Sequence, residues 1–176
     1  QFLERLRDRI EGFGLKLAEE KTQCIEFGRF ARKNAQQRGG KPADFTFLGF
    51  THYCGKTKSG YFKVKRRTSR KKLGQSLRKF NEWAIKARNV QRKGEMIRSA
   101  RIRVAGHLNY YAITDNADRC NSYVHHATNI LFKWLNRKSQ RKAYTWEQLK
   151  RALAWAGWPT VRIRKDLNPC RRAEAH

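Results

Sequence analysis

The chain has 176 residues, 39% of them apolar and 12% aromatic, and its 41 Lys and Arg against 14 Asp and Glu give a formal net charge of +27. This apolar share excludes a disordered polycation and predicts one folded domain or two small ones. A compact body with so much charge repels itself unless a polyanion neutralises it. No segment approaches the roughly 20 apolar residues of a membrane-spanning helix. We therefore expect a nucleic acid as partner and no membrane.

The positive charge is concentrated after Asp44. Residues 1–44 hold 10 Lys and Arg and 7 Asp and Glu, for a net charge of +3, whereas residues 45–176 hold 31 and 7, for +24. Between Phe45 and Asn81 there are eleven Lys and Arg and no carboxylate. A basic run is often only a solvated face, but here the charge extends over a long segment that also carries apolar patterns. It therefore favours a binding surface.

In the N-terminal part, apolar residues at helical spacing predict a helix over residues 2–13, and Gly14 is placed to end it in the left-handed conformation. Residues 15–17 and 23–27 are predicted to form two strands joined by a polar turn. Residues 29–44 contain two adjacent glycines and a proline, so they are predicted to be an exposed linker.

Residues 45–54 and 61–66 are predicted to form a β-hairpin around a Gly-rich loop. The first strand is apolar on both faces and is expected to be covered on both sides. The second strand alternates, with Phe62 and Val64 towards a core and Tyr61, Lys63 and Lys65 towards solvent. The cations from this strand into the next helix are expected to line one continuous phosphate-binding surface: Lys63, Lys65, Arg66, Arg67, Arg70, Lys71 and Lys72.

From Ser69, a predicted N-cap, the apolar period is helical. Three apolar stripes predict three helices, and the capping-box spacing of Thr145 and Gln148 predicts a fourth that ends near Gly157. Such stripes are more often core than cofactor contacts. The predicted fold class is therefore α+β, with hairpins followed by a helical bundle. The stripes are Leu73, Leu77, Phe80, Ala84 and Ala87; Ile97, Ala100, Val104, Leu108 and Tyr111; and Cys120, Val124, Ala127, Leu131 and Trp134 or Leu135.

The residues alone show no active site. The chain has no paired aspartates, no H-E-x-x-H, no G-x-S-x-G and no Walker loop. Tyr110 is a candidate for stacking on unpaired bases, although it fits equally a half-buried neighbour of a core Tyr111. Arg137, Lys138 and Arg141 form a second candidate cationic patch, where the dipole at a helix C-terminus would explain one or two of the charges.

Five motifs follow one another along the chain: Gly14-Leu15-Lys16-Leu17 with Lys21-Thr22; Phe27-Gly28-Arg29; Phe45-x-Phe47-Leu48-Gly49-Phe50; the basic run from Lys63 to Lys71; and Gly106-His107-Leu108-Asn109-Tyr110-Tyr111. Each of them alone is weak. Together, over about residues 1–150, they make the chain resemble the C-terminal half of a bacterial group II intron reverse transcriptase/maturase.

This resemblance implies a division of the chain and a set of partners. Residues 1–65 would be the end of the polymerase palm, with a primer-grip-like hairpin at Phe47, Leu48, Gly49 and Phe50. Residues 66–157 would be the helical thumb, or maturase X domain, and residues 158–176 a C-terminal tail. The partners would be group II intron RNA and an RNA/DNA template-primer in the bacterial cytoplasm. Since the chain opens with Gln1, we expect a piece of a longer protein that lacks its fingers and the first part of the palm.

The chain departs from the family's pattern at the polymerase centre. The Tyr-Ala-Asp-Asp box and the further Asp that hold Mg²⁺ are not in this sequence, so Mg²⁺ is expected for a complete polymerase and no cofactor for this chain. RNA-directed DNA polymerase activity would belong to the whole protein. Lys21 resembles a general acid for the leaving pyrophosphate, or is an exposed turn lysine. Two rival functions stay open: a stand-alone splicing factor, and a general basic RNA-binding protein.

Overall fold

The computed structural model describes residues 1–137 and 144–167, apart from the side chain of Lys21. Within that part, six α-helices and a three-stranded antiparallel sheet confirm the predicted α+β class. The chain divides into two compact units, Gln1–Ala43 and Asp44–His176. None of the described helices is long and apolar enough to cross a lipid bilayer.

The first unit contains helix α1 at Phe2–Glu11, a 3₁₀ turn at Glu19–Lys21 and helix α2 at Ala31–Gln37. The chain leaves α1 through Gly14, which has the predicted left-handed conformation, with a φ of 71°. The two strands predicted between residues 15 and 27 are wrong, because this segment contains only the 3₁₀ turn. Residues 15–18 and 22–27 contain no strand, and an isolated two-stranded hairpin is in any case marginal in water.

The linker predicted at residues 29–44 is also wrong in part, because it contains α2. Ala31 and Ala35 lie four residues apart and are both buried, which gives this short helix an apolar side. The side chains of Asn34 and Arg38 donate hydrogen bonds to the carboxylate of Glu26. Two alanines are too small to produce a visible stripe, so the glycines and the proline dominated the sequence pattern.

The second unit begins with a sheet of three antiparallel strands in the order β1-β2-β3, namely β1 at Phe45–Phe47, β2 at Phe50–Lys56 and β3 at Phe62–Thr68. The predicted strand over 45–54 is therefore broken by a two-residue turn. Its expected coverage on both sides is wrong as well, because the Phe47 and Leu48 side chains are 59% and 67% exposed. Leu48 lies in the turn, and Phe47 is the last residue of β1, where it pairs with the buried Phe50.

Four helices follow the sheet: α3 at Arg70–Val90, α4 at Lys93–Tyr111, α5 at Ala117–Asn136 and α6 at Trp146–Trp155. Thr68 contacts Asn116 just before α3 and α5 begin, and Asn81 contacts Trp134 farther along both helices, so the two run in the same direction. Ser69 caps α3 and Thr145 caps α6, as predicted.

The predicted apolar stripes form the core between these helices. Its buried residues are Leu73, Phe80, Ala84, Ala87, Met96, Ile97, Ala100, Val104, Leu108, Ala112, Cys120, Tyr123, Ala127, Leu131, Leu135, Leu149 and Leu153. Trp158 and Val161, from the predicted tail, pack against this core, and the Arg164 N–H donates to the Ala112 carbonyl. The expected boundary between residues 65 and 66 falls within β3. The division into palm and thumb stays a prediction.

Candidate nucleic-acid interface

A buried asparagine joins the sheet to the helices. Asn116, just before α5, is fully buried. Its Oδ1 accepts from the Thr68 N–H at 2.7 Å, and its Nδ2 donates to Thr68 Oγ1 at 2.7 Å and to the Tyr111 carbonyl at 2.8 Å. Hydrogen bonds in a dry interior are strong and costly to leave unmade. This one side chain therefore fixes the end of β3 against the end of α4 and the start of α5.

The turn from Phe47 to Phe50, called the tip below, has an unusual backbone. Leu48 and Gly49 both have positive φ, of 49° and 83°, as a type I′ hairpin turn requires. A bulky residue such as Leu48 is rarely found there. At Gly49 a Cβ would lie 3.0 Å from Tyr111 Oη and 3.2 Å from Lys72 Cγ, so conformation and space both favour glycine.

Two helices hold the strained tip in place. The Ser69 N–H donates to the Gly49 carbonyl at 2.9 Å, and the Tyr110 hydroxyl donates to the Leu48 carbonyl at 3.0 Å. Strain of this kind persists only where the surroundings fix the backbone, and it is concentrated at functional sites. The start of α3 and the end of α4 thus present the exposed side chains of Phe47 and Leu48 in a defined position.

Beside the tip lies an open cleft of about 450 Å³, lined by Leu48, Gly49, Lys72, Tyr110 and Tyr111. The Tyr110 side chain is 52% exposed, and its ring stacks on Phe50 with centroids 5.8 Å apart. Its hydroxyl holds the tip, a role that the sequence did not reveal. Base stacking by Tyr110 stays a prediction.

His107 lies behind the cleft, in the same helix. Its ring stacks on Tyr123 at a centroid distance of 3.5 Å and contacts Tyr111 at 4.5 Å. Burial lowers the pKa of His107 to about 4, because removal from water disfavours the charged imidazolium. The side chain is therefore neutral near pH 7 and serves as a packing element.

The predicted basic residues of β3 are divided between the two faces of the sheet. The register places Lys63, Lys65 and Arg67 on one face and Arg66 on the other, opposite His52. Burial, and then the charge of Arg66, lower the pKa of His52. The expected continuous surface therefore does not include all seven cations on one side.

Two of these cations are engaged within the chain. The Lys63 ammonium lies 3.0 Å from both carboxylate oxygens of Asp115 and is largely buried. The Arg67 guanidinium lies 3.3 Å from Asp44 and 5.0 Å from the ring centroid of Tyr53. These partners reduce what Lys63 and Arg67 can offer to a ligand.

The remaining cations form a group without carboxylate partners among the described residues. We call these cations the hairpin cluster. Its members are Lys65 and Arg66, which lie on opposite faces at the end of β3, and Arg70, Lys71 and Lys72 at the start of α3. Three of them occupy the first turn of α3, which contains no acidic residue. The N-terminus of a helix carries a partial positive charge, so cations there are unfavourable by about 0.3–1 kcal/mol each. The arrangement costs stability in the free protein and favours a bound anion.

Of the remaining predicted site residues, only Arg137 has a side chain that the structure describes. Arg137 is exposed at the end of α5, with its guanidinium 5.5 Å from the ring centroid of Trp134. Lys138 and Arg141 lie outside the described residues, as does the side chain of Lys21. Across residues 1–137 and 144–167, no three His, Cys, Asp or Glu side chains lie together where they could hold a metal ion.

Some interface residues could not be found by pattern. Asn116 appears in the sequence only as a polar residue before a helix, although Asn at an N-cap position is a general signal for a helix start. One of its partners, Thr68, is 48 residues away in the sequence. Comparison of the chain with models of protein families, with curated proteins and with solved structures finds no match in any of the three.

Proposed function

We propose that this chain binds the phosphate backbone of a nucleic-acid duplex at the tip and the hairpin cluster. The observation that carries the proposal is the first turn of α3, where Arg70, Lys71 and Lys72 meet the positive end of the helix with no carboxylate nearby in sequence. A polyanion would relieve this repulsion. Arg side chains in addition grip phosphate with two parallel hydrogen bonds.

The tip supports a more specific form of the proposal. Its apolar side chains, Phe47 and Leu48, project next to cations and are held rigidly by Ser69 and Tyr110. A rigid apolar element beside a phosphate-binding surface suits the end of a duplex, where bases and sugars are accessible. This is the role of a primer grip, so we infer a group II intron reverse transcriptase/maturase piece whose partners are an RNA/DNA template-primer and intron RNA.

The proposal is tested by the salt dependence of binding. The variant R66A/R70A/K71A removes three cluster charges, and binding of the full 176-residue chain to an RNA/DNA hybrid is followed by fluorescence anisotropy across a salt series. Each lost phosphate contact should flatten the slope of log K against log salt by about 0.7–0.9. A total change of roughly 2–3 is expected.

A matched control separates position from net charge. R98A/K150A/R151A also removes three exposed cations, but from α4 and α6 rather than from the hairpin. Its slope should change much less than that of the cluster variant. Equal changes in the two variants, or no change in either, would contradict the proposed site.

The rival functions require a second comparison. All of them predict affinity that falls with salt, but only the intron-linked functions predict that group II intron RNA is preferred over unrelated RNA of equal length at high salt. Loss of that preference would leave a general basic RNA-binding protein. The coding sequence upstream of Gln1 decides between a polymerase piece and a stand-alone splicing factor, according to whether it encodes a Tyr-Ala-Asp-Asp box.

A further inference from the structure

Three cations surround one tryptophan at the far end of α3 and α5. The Arg88 Cζ, the Lys133 Nζ and the Arg137 Cζ lie 4.7, 5.1 and 5.5 Å from the ring centroid of Trp134. The indole N–H donates to Asn81 Oδ1 at 2.7 Å, which fixes the ring. We call Arg88, Lys133, Trp134 and Arg137 the Trp134 cluster.

Cation–π attraction and the helix dipole do not account for the whole arrangement. Each cation is attracted to the face of the ring, and the C-terminus of α5 favours positive charge, but three like charges this close repel one another. No ion pair of the described residues involves them. The sequence has no Asp or Glu between Asp118 and Glu147, so the segment that follows Arg137 supplies none.

The polar groups of the Trp134 cluster that lack a hydrogen-bond partner indicate which kind of ligand it would bind. Arg88 Nε is buried and has no hydrogen-bond partner in the described part of the chain. Because cations lie over the indole ring, a base has little free aromatic surface there on which to stack. A phosphate diester fits, since its oxygens can accept from two guanidinium groups while its charge relieves the repulsion.

The Trp134 cluster and the hairpin cluster both include an arginine on the same side of α3. Arg70 and Arg88 are 18 residues apart on α3, which is five full turns, so both lie on the same side of the helix, about 27 Å apart. Between them an open groove separates α3 from α5, and its lining contains Leu77, Ile130 and Lys133 but no carboxylate. Adjacent phosphates of one strand are spaced about 3.4 Å apart along the axis of a DNA duplex and somewhat closer in an RNA duplex, so 27 Å corresponds to roughly eight or more steps.

We propose that the Trp134 cluster is a second phosphate site, which holds the same duplex about eight phosphates away from the hairpin cluster. This inference rests on the proposed function, because it takes the duplex to be bound at the tip. The face formed by α3 and α5 then requires a minimum duplex length for full affinity. Short duplexes reach the hairpin cluster alone, and longer ones reach both.

The experiment compares RNA stem-loops with stems of 6 and 16 base pairs and the same loop, bound to the full chain across a salt series. For wild type, the slope of log K against log salt should be steeper with the long stem. In R88Q/R137Q the slope should flatten by about 1.4–1.8 with the long stem and stay unchanged with the short one. Thermal unfolding checks that the variant is folded.

Two further variants define the site. R88K/R137K keeps the two positive charges but loses the planar guanidinium groups that bind phosphate through two hydrogen bonds. Affinity for the long stem should therefore fall, while the slope of log K against log salt is retained. K86Q/R151Q removes two cations that do not contact Trp134 and should leave the difference between the stems intact. Inorganic phosphate, exchanged for chloride at constant ionic strength, should lower long-stem affinity only at concentrations far above those of the duplex.

The outcomes separate this inference from the proposed function. If wild type binds both stems with equal slopes, or if R88Q/R137Q weakens both stems equally, the second site is refuted while binding at the tip stands. Displacement by low concentrations of inorganic phosphate would instead identify a site for free anions. If neither stem is bound in a salt-dependent way, the proposed function itself fails.

Discussion

Replacing Asn116 by Ala should be among the most destabilising single substitutions at the joint between sheet and helices. It leaves the Thr68 N–H, the Thr68 hydroxyl and the Tyr111 carbonyl without their present partner in a dry interior. Each buried polar group left unsatisfied costs about 1–3 kcal/mol, and the hydroxyl can rotate to reduce its share. We therefore expect the free energy of unfolding to fall by about 3–5 kcal/mol, a large part of the 5–15 kcal/mol typical of a domain.

Urea unfolding followed by circular dichroism measures this loss, with Asn121→Ala as the matched control. Asn121 lies on the same helix but is exposed, so its replacement should change stability by less than about 0.5 kcal/mol. If N116A loses less than about 1 kcal/mol, these hydrogen bonds do not hold the joint, and the rigid support inferred for the tip is refuted with them.

Two other substitutions test the tip and the histidine behind it. Leu48→Asn should raise the melting temperature by roughly 2–4 °C, because Asn tolerates positive φ better than Leu. The same substitution should weaken duplex binding, because it removes an exposed apolar contact. An unchanged or lower melting temperature would mean that Leu48 is not strained. Between pH 7 and pH 4 the free energy of unfolding should fall by up to about 3 kcal/mol through His107, since the unfolded state binds its proton near pH 6.5 and the folded state only near pH 4. His107→Phe keeps the stacked ring and should reduce this pH-dependent loss of stability, measured by urea titrations at each pH. A smaller contribution of the same sign should remain from His52. If the variant and the wild type lose the same stability, His107 does not cause the loss.

Local patterns predicted the helical part of the fold well. The apolar stripes of α3, α4 and α5 lie in the core, and the side chains of Ser69 and Thr145 cap their helices. These signals depend on residues three or four positions apart, which the helix itself brings together. The α+β class could therefore be predicted without knowledge of any distant contact.

The errors and omissions have a different physical origin. Leu48 at positive φ contradicts the usual turn preferences, so the break between β1 and β2 gave no signal in the sequence. Arg88 and Trp134 are 46 residues apart, and only the packing of α3 on α5 brings them together. Likewise, the pairing of Lys63 with Asp115 could not be inferred from a run of basic residues, and it changes which cations are available to a ligand.

The cationic first turn of α3 also links folding to occupancy. The same turn supplies the Ser69 N–H that holds the tip, so repulsion among Arg70, Lys71 and Lys72 weakens the support of the tip when no polyanion is present. A ligand that binds only the folded state adds RT ln(1 + [L]/Kd) to its stability. By this linkage, a nucleic acid bound as we propose would stabilise the end of the bundle that carries the tip more than it stabilises the opposite end.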